Sequence, residues 1–291
     1  MVILVTGGAG FVGTSLIQSL LNSNHTVISV DDYSSGEEVN HVKDSKVTYF
    51  SLHTSTLNVD FFTKNKIELV YHLGEYARIA PSFENKQQVF DSNINGSFNI
   101  VSICSKLNIP LIYSASSTKF ANEGINHSPY AYFKAFTVDL IKNYGEWEGL
   151  KYSICYFYNV YGSSTKTKWE TNNYQSVIEV FKFQKQNNLP LTVCGDGEQK
   201  RDFIHVYDIV EGLQKIALSN LSHNDAWELG TGVNYSINRV YEFFNKRFNV
   251  EFENLPDQPG NYRKTLREND DTLKLLNWTP KDRLKDHIKN L

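Results

Sequence analysis

Three side chains in this sequence have the types and spacing for acid–base chemistry on an alcohol. Tyr130 and Lys134, in Tyr130-Ala131-Tyr132-Phe133-Lys134, stand four residues apart, and residues four apart share one face of a helix. Of the 17 tyrosines only Tyr130 has a lysine at that offset. A phenol with a free pKa of ~10 acts as a base near neutrality only when that pKa is lowered, and a neighbouring ammonium does so by favouring the phenolate. Just upstream lies Ser114-Ala115-Ser116-Ser117-Thr118. Ser116 can hold a substrate hydroxyl while Tyr130 takes its proton and hydride departs to an acceptor. A helix-surface Tyr–Lys pair beside a serine-rich turn would carry the same residues without any chemistry. The surrounding elements decide between the two.

The acceptor is implied at the N-terminus. Val2 to Val5 form an apolar run that reads as a buried strand, and Phe11 to Leu21 has helix-spaced apolar residues. The turn between them, Gly7-Gly8-Ala9-Gly10-Phe11-Val12-Gly13, fits both G-x-G-x-x-G and G-x-x-G-x-x-G. Such glycines allow a tight turn and a close approach of pyrophosphate to the backbone, where free helix-terminal N–H groups meet it. The turn from Gly7 through Gly10, Phe11, Val12 and Gly13 is therefore expected to bind a dinucleotide. A second strand, Thr26 to Val30, ends in Asp31 and Asp32, about 20 positions after the glycines, where a carboxylate accepts from the adenosine ribose and repels a 2′-phosphate. The expected cofactor is NAD. Asp31 is read as the ribose ligand. Asp32 is either a neighbour of the adenosine or part of the turn that includes Ser35 and Gly36.

Further strands are expected at Val47 to Phe50, Ile67 to Leu73, Ile109 to Ser114 and Lys151 to Tyr158, with helices over Lys86–Leu107 and Pro129 to about Tyr144. Apolar strands alternating with helices predict a parallel sheet covered on both faces, with ligands beyond the strands' carboxyl ends. That edge includes Leu73, Gly74 and Glu75 after the fourth strand and Ser114 to Thr118 after the fifth. Composition narrows the partners. A chain of 291 residues with net charge −3 gives no reason to invoke nucleic acid or an anionic membrane surface. No stretch approaches the ~20 apolar residues of a membrane span. The first apolar run is too short for a signal peptide. Cys104, Cys155 and Cys194 are spaced for neither zinc nor a redox pair, so no metal site and a reducing cytoplasm are expected.

Taken together, TGGAGFVG (6–13), VDDYSSG (30–36), HLGE (72–75), NINGS (93–97), YSASS (113–117), SPYAYFK (128–134), NVYG (159–162), LTVCGDGEQKRDFIHVYD (191–208), ELGTG (228–232) and LLNWTP (275–280) resemble the extended short-chain dehydrogenase/reductases of the NAD-dependent epimerase/dehydratase family, which act on nucleotide sugars. The resemblance covers essentially the whole chain. It implies a Rossmann-type doubly wound parallel sheet over residues 1–160, with 203–232 returning to it, and a smaller C-terminal substrate-binding domain from 161–202 and 233–291. It also implies a homodimer built on helices 86–107 and 129–144. By position, Ser116, Tyr130 and Lys134 would be the catalytic triad, Asn93 would lie near the nicotinamide, and Asn159 and Arg201 would contact the diphosphate. A guanidinium fork suits phosphate oxygens on its own account. Arg263 is placed either at the diphosphate or on the surface, as is Arg267. Tyr174, Val177 and Val193 are either base and ribose contacts or core.

The departures from the family pattern narrow the chemistry. Family 4,6-dehydratases carry Asp-Glu directly after the catalytic hydroxyl residue, whereas this chain has Ser117 and Thr118. Gln258 and Asn261 replace an Arg and an Asp that many UDP-sugar epimerases use around the diphosphate. Glu75 and Arg78 are charged where small or neutral residues are usual, which makes Glu75 a candidate for contact with either cofactor or sugar. The expected activity is epimerisation at C4 of a nucleoside-diphosphate sugar by transient oxidation. Its alternatives are a nucleotide-sugar 4-dehydrogenase or ketosugar reductase, a 4,6-dehydratase, and an NAD-binding sensor with no turnover.

Overall fold

The computed structural model of the chain describes residues 1–162, 165, 176–219 and 226–291. The first half alternates β1 (Val2–Thr6), α1 (Phe11–Asn22), β2 (Thr26–Asp31), β3 (Val47–Ser51), α2 (Val59–Lys64) and β4 (Leu69–His72), then α3 (Lys86–Phe90), α4 (Ser97–Leu107), β5 (Leu111–Ser116), α5 (Pro129–Glu148) and β6 (Tyr152–Phe157). The second half holds β7 (Asn159–Tyr161), α6 (Val177–Gln186), β8 (Leu191–Cys194), β9 (Lys200–His205), α7 (Val206–Leu218), β10 (Trp227–Leu229), β11 (Asn234–Ser236), α8 (Ile237–Phe248), β12 (Phe252–Leu255), α9 (Asp271–Leu276) and α10 (Leu284–Lys289).

Seven strands form one sheet in the order β3-β2-β1-β4-β5-β6-β10, each neighbouring pair parallel. Parallel strands need helices on both faces, which is why the middle of β1 is apolar throughout, with Ile3, Leu4 and Val5 at most 1% exposed. On one face α1 and α7 bury Leu16, Ile17, Ile209 and Leu213, with Trp278 closing that core. On the other, α4 and α5 bury Ile100, Val101, Val138 and Ile141. The order reverses between β1 and β4, so a crevice opens at their carboxyl ends. A smaller core, including Ile178, Phe181, Val193, Val240 and Phe244, faces that crevice beside the three-stranded sheet β11-β9-β7 and the pair β12-β8.

Most expected elements are present with shifted ends. The long helix expected over 86–107 differs in kind. It runs as α3, a π-helical turn at Asp91–Gly96, and α4. The wider turn carries Asn93 inward, where it is fully buried. The helix from Pro129 continues past Tyr144 to Glu148 and ends on Gly149, whose φ of 72° suits a left-handed cap.

Candidate active site

A single continuous cleft of about 1460 Å³ runs from the glycine turn after β1, across the ends of β4 and β5, to Arg201 on β9. Its floor at one end is Gly7, Gly10 and Gly13. Gly7 has φ +70°, and a Cβ on Gly13 would lie 2.1 Å from the Gly7 carbonyl oxygen. A Cβ on Gly10 would meet only that carbonyl, at 3.2 Å, so the glycine leaves the floor open to a ligand. Gly8 points elsewhere, its absent side chain making room for Ser29 on β2. The working spacing is therefore Gly7, Gly10, Gly13. Phe11 and Val12 line the same wall.

Asp31 closes this end. Its Oδ2 accepts from the Ala9 N–H at 2.9 Å and its Oδ1 from the Tyr33 N–H at 2.9 Å. Burial pushes its carboxyl up, while those two N–H groups and the nearby His41 act the other way. Asp32 and Ser35 also line the cleft, and Asp32 Oδ1 accepts from the Ser34 N–H at 2.9 Å. Gly36 does not reach the cleft. A Cβ there would lie 2.9 Å from the Ala9 backbone, so this glycine lets two loops touch.

The middle of the cleft, where Ser116, Tyr130 and Lys134 come together, is built from the ends of β4 and β5 and the start of α5. Ser116 ends β5, and its Oγ accepts from Thr118 Oγ1 at 3.0 Å and the Thr118 N–H at 3.3 Å. With its oxygen so engaged, the Ser116 hydroxyl has its own hydrogen left for a cleft ligand. Thr118 thus serves Ser116, a link that spacing alone did not reveal. Ser117 lies beside them on the wall. Helix α5 starts at Pro129, capped by Ser128 Oγ, which accepts from the Ala131 N–H at 3.1 Å. That start places Tyr130 in the cleft wall, one turn from Lys134. Ser82 also steadies it, its Oγ accepting from the Tyr130 N–H at 3.3 Å. The Lys134 ammonium donates to the Ser114 carbonyl at 2.6 Å.

Leu73, Gly74 and Ser114 line the cleft as expected. Two other expected cofactor contacts behave differently. Asn93 does not reach the cleft. Its amide accepts from the Tyr76 N–H at 2.8 Å and donates to the Tyr76 carbonyl at 3.0 Å, holding the loop after β4. Glu75 belongs to the cleft wall by its backbone position, but its side chain is 1% exposed and turned beneath Lys134. Its carboxylate faces Lys134 rather than the open cleft.

At the far end Arg201, Asn159 and Val177 line the cleft, joined by Gln258 and Asn261. Arg201 donates to the Asn261 side-chain carbonyl at 2.7 Å and to the Lys200 carbonyl at 2.9 Å. Burial lowers its pKa to about 10, with Glu123 and Asp257 opposing, so it stays cationic at neutral pH. Among the described residues it makes no ion pair with a carboxylate. A desolvated guanidinium held by neutral carbonyls can still receive an anion. Val193, by contrast, is 1% exposed in the small core. Arg263 is mostly exposed and pairs with Asp196 at 2.8 Å, outside the cleft. Arg267 is buried against the Gly230 and Asn269 carbonyls and is structural. Asp208 lies in the first turn of α7 and accepts from Arg283 at 3.0 Å. Tyr174 falls outside the described residues.

Arg78, noted for its charge, lines the wall too. Position along the chain gave no warning of His53, Thr54, Gln199 and Tyr262, which line it without any periodic pattern. Among the described residues, no group of three or more His, Cys, Asp or Glu could hold a metal.

The chain is similar to known proteins over nearly its whole length. A model of the NAD dependent epimerase/dehydratase family matches residues 3–230. A putative UDP-glucose 4-epimerase of Methanocaldococcus jannaschii is 30% identical over 307 residues, covering 99% of this chain and 96% of its own. The UDP-glucuronate 4-epimerase of Thermodesulfobacterium geofontis is 26% identical, covering 98% of this chain and 93% of its own. Among solved structures, UDP-glucose 4-epimerase of Thermotoga maritima with UDP-glucose superposes with a TM-score of 0.90 at 25% identity, covering 99% of this chain and 96% of that one.

Proposed function

The chain belongs to the NAD dependent epimerase/dehydratase family, and from that membership we propose that it is a 4-epimerase of a UDP-sugar. The observation that carries the choice of reaction is the pair after Ser116. A dehydratase needs a carboxylic acid and a carboxylate there to move protons during elimination of water. This site has Ser117, and Thr118 spends its hydroxyl on Ser116. Proton transfer at the C4 hydroxyl needs only Ser116 and Tyr130, both on the cleft wall.

The residues fit NAD. Gly7, Gly10 and Gly13 would receive the diphosphate and Asp31 the adenosine ribose. Leu73, Gly74 and Ser114 would flank the nicotinamide half, and Lys134 would bind its ribose. Bound NAD supplies a hydride acceptor that can also return hydride to the sugar. The protein's own part is to hold the C4 hydroxyl at Ser116 and take its proton at the Tyr130 oxygen. Tyr130 gives that proton back once the ketone has presented its other face. Arg201 and Asn159 would hold the substrate diphosphate, with Val177 beside the nucleoside. The lobe formed by residues 161–202 and 233–291 would be the substrate domain. A carboxylate at Asp31 disfavours NADP by charge repulsion with the 2′-phosphate.

Association into a homodimer is part of the same reading. Phe90, Phe98, Tyr132, Phe136 and Trp147 are each at least 40% exposed, and all lie on the adjoining helices α3, α4 and α5. Grouped aromatics of this kind mark an interface. The buried thiols of Cys104 and Cys155 suit a reducing cytoplasm.

The test is direct. Purified protein with catalytic NAD is incubated with UDP-glucose, UDP-galactose, UDP-N-acetylglucosamine and UDP-glucuronate, and the products are read by NMR. A C4-epimer mixture without accumulating NADH is expected, with much slower turnover when NADP replaces NAD. A 4-keto-6-deoxy product would overturn the assignment. Stoichiometric NADH with a released ketosugar would replace it by the dehydrogenase.

A further inference from the structure

Glu75 and its surroundings carry the strongest unassigned feature of the molecule. The carboxylate sits at the end of β4, side chain 1% exposed, against the Lys134 ammonium. Charges so deeply buried are tolerated only when paired and fully hydrogen-bonded, and here the pairing has a direction.

The backbone N–H groups of Leu73 and Gly74 donate to Thr6 Oγ1 at 3.1 and 2.9 Å. With its oxygen accepting twice, Thr6 donates its own hydrogen to His72 Nδ1 at 2.7 Å. Because Nδ1 accepts, the neutral ring carries its hydrogen on Nε2 and donates it to Ser97 Oγ at 2.8 Å. Burial lowers His72 to about 4, with Glu75 opposing and Lys134 adding to the effect, so the ring is neutral at pH 7. Ser97 then donates to Glu75 Oε1, and Tyr113 donates to Oε2 at 2.9 Å. Every donor in the series points toward the one carboxylate.

Lys134 has three hydrogens. One goes to the Ser114 carbonyl and one to Glu75, which leaves one for the cleft. The ammonium also lies 5.0 Å from the centre of the Tyr113 ring. The other titratable groups facing the pair are His72 on β4, Tyr113 on β5 and Tyr130 on α5.

We propose that Glu75 is a positioning residue of the reaction: it clamps Lys134 from beneath, fixes which hydrogen the lysine offers to the cleft, and offsets part of the lysine's charge at Tyr130. The relay from Thr6 through His72 and Ser97 delivers its last hydrogen to the Glu75 carboxylate, which accepts it. Its effect on turnover rests on the epimerase reading above. Its effect on Lys134 does not.

Two readouts separate these claims. Acylation of Lys134 by a small anhydride, followed by mass spectrometry across pH, needs no substrate. Glu75→Gln is nearly isosteric but uncharged, so it should move the labelling midpoint of Lys134 down by roughly one pH unit or more. Glu75→Asp keeps the charge and should retain the wild-type midpoint. If UDP-sugar turnover is found, the acidic limb of kcat/KM should move down with Glu75→Gln and stay with Glu75→Asp. Unchanged labelling in Glu75→Gln overturns the positioning role even when wild type epimerises. A shifted midpoint in a protein without turnover upholds it and removes the epimerase reading instead. If Glu75→Gln does not fold, ¹⁵N NMR of the wild-type His72 ring decides. A neutral Nε2–H tautomer at pH 7 is expected, and an Nδ1–H tautomer or an imidazolium would overturn the relay.

Discussion

Tyr130 and Ser116 face the same cleft from different elements, and each is held by a neighbour outside the proposed chemistry. Thr118 orients Ser116, while Ser82 and the Ser128 cap hold the first turn that carries Tyr130. Tyr130→Phe removes one oxygen and almost no contact area. Turnover should fall by ~10²–10⁴-fold, as expected for loss of a general acid–base, while NAD titrated by calorimetry still binds within a few-fold of wild type. Wild-type turnover in that variant would sink the mechanism. Lys134→Ala should lose cofactor affinity as well. It also leaves Glu75 buried without its cation, and breaking a buried pair costs about 3–5 kcal/mol. Denaturant unfolding should show that loss for Lys134→Ala and a far smaller one for Tyr130→Phe. The Tyr130–Lys134 pair was legible in the sequence because a four-residue offset on a helix is a local signal. The partner of Glu75 was not, because it emerges only when β4, β5, α4 and α5 meet.

At the level of elements, the strand–turn–helix unit around Gly7 to Gly13 was readable because its demands are local. A left-handed φ at Gly7 and a 2.1 Å approach at Gly13 admit no other residue. The choice between the two glycine spacings needed Ser29 on the neighbouring strand, which packs against Gly8. The helix after the β4 loop misled for a different reason. Positions on an α-helix advance at 3.6 residues per turn, and the π turn at Asp91–Gly96 breaks that count. Asn93 is thereby rotated onto the Tyr76 backbone and away from the cleft. Val193 and Arg263 lie in the C-terminal lobe, where no repeating pattern separates a core side chain from a lining one. The start of α5 offers a test of how an element serves the site. Ser128→Ala removes the cap, and about 1 kcal/mol of stability should go with it. Because the same turn carries Tyr130, kcat should fall more than KM rises. An unchanged kcat would show that Ser82 and the Pro129 turn suffice to place the tyrosine.

For the whole molecule, the exposed aromatics of α3 to α5 set the expected assembly. Phe98 and Phe136 are 51% and 47% exposed on helices that pack against each other beside the active-site loops. Changing both to Glu should convert a dimer to a monomer in sedimentation velocity at micromolar concentration. A wild type that already sediments as a monomer would remove the dimer from the proposal. The seven-stranded sheet carries one more implication, for how the chain is made. Its last strand, β10, completes the edge beside β6 only with residues 227–229, 72 positions after Phe157 ends β6. At a ribosomal pace of ~5–20 residues/s, β6 waits roughly 4–14 s for that neighbour. During this interval an almost wholly apolar strand offers unpaired backbone groups to any extended segment nearby, including that of another nascent chain on the same message.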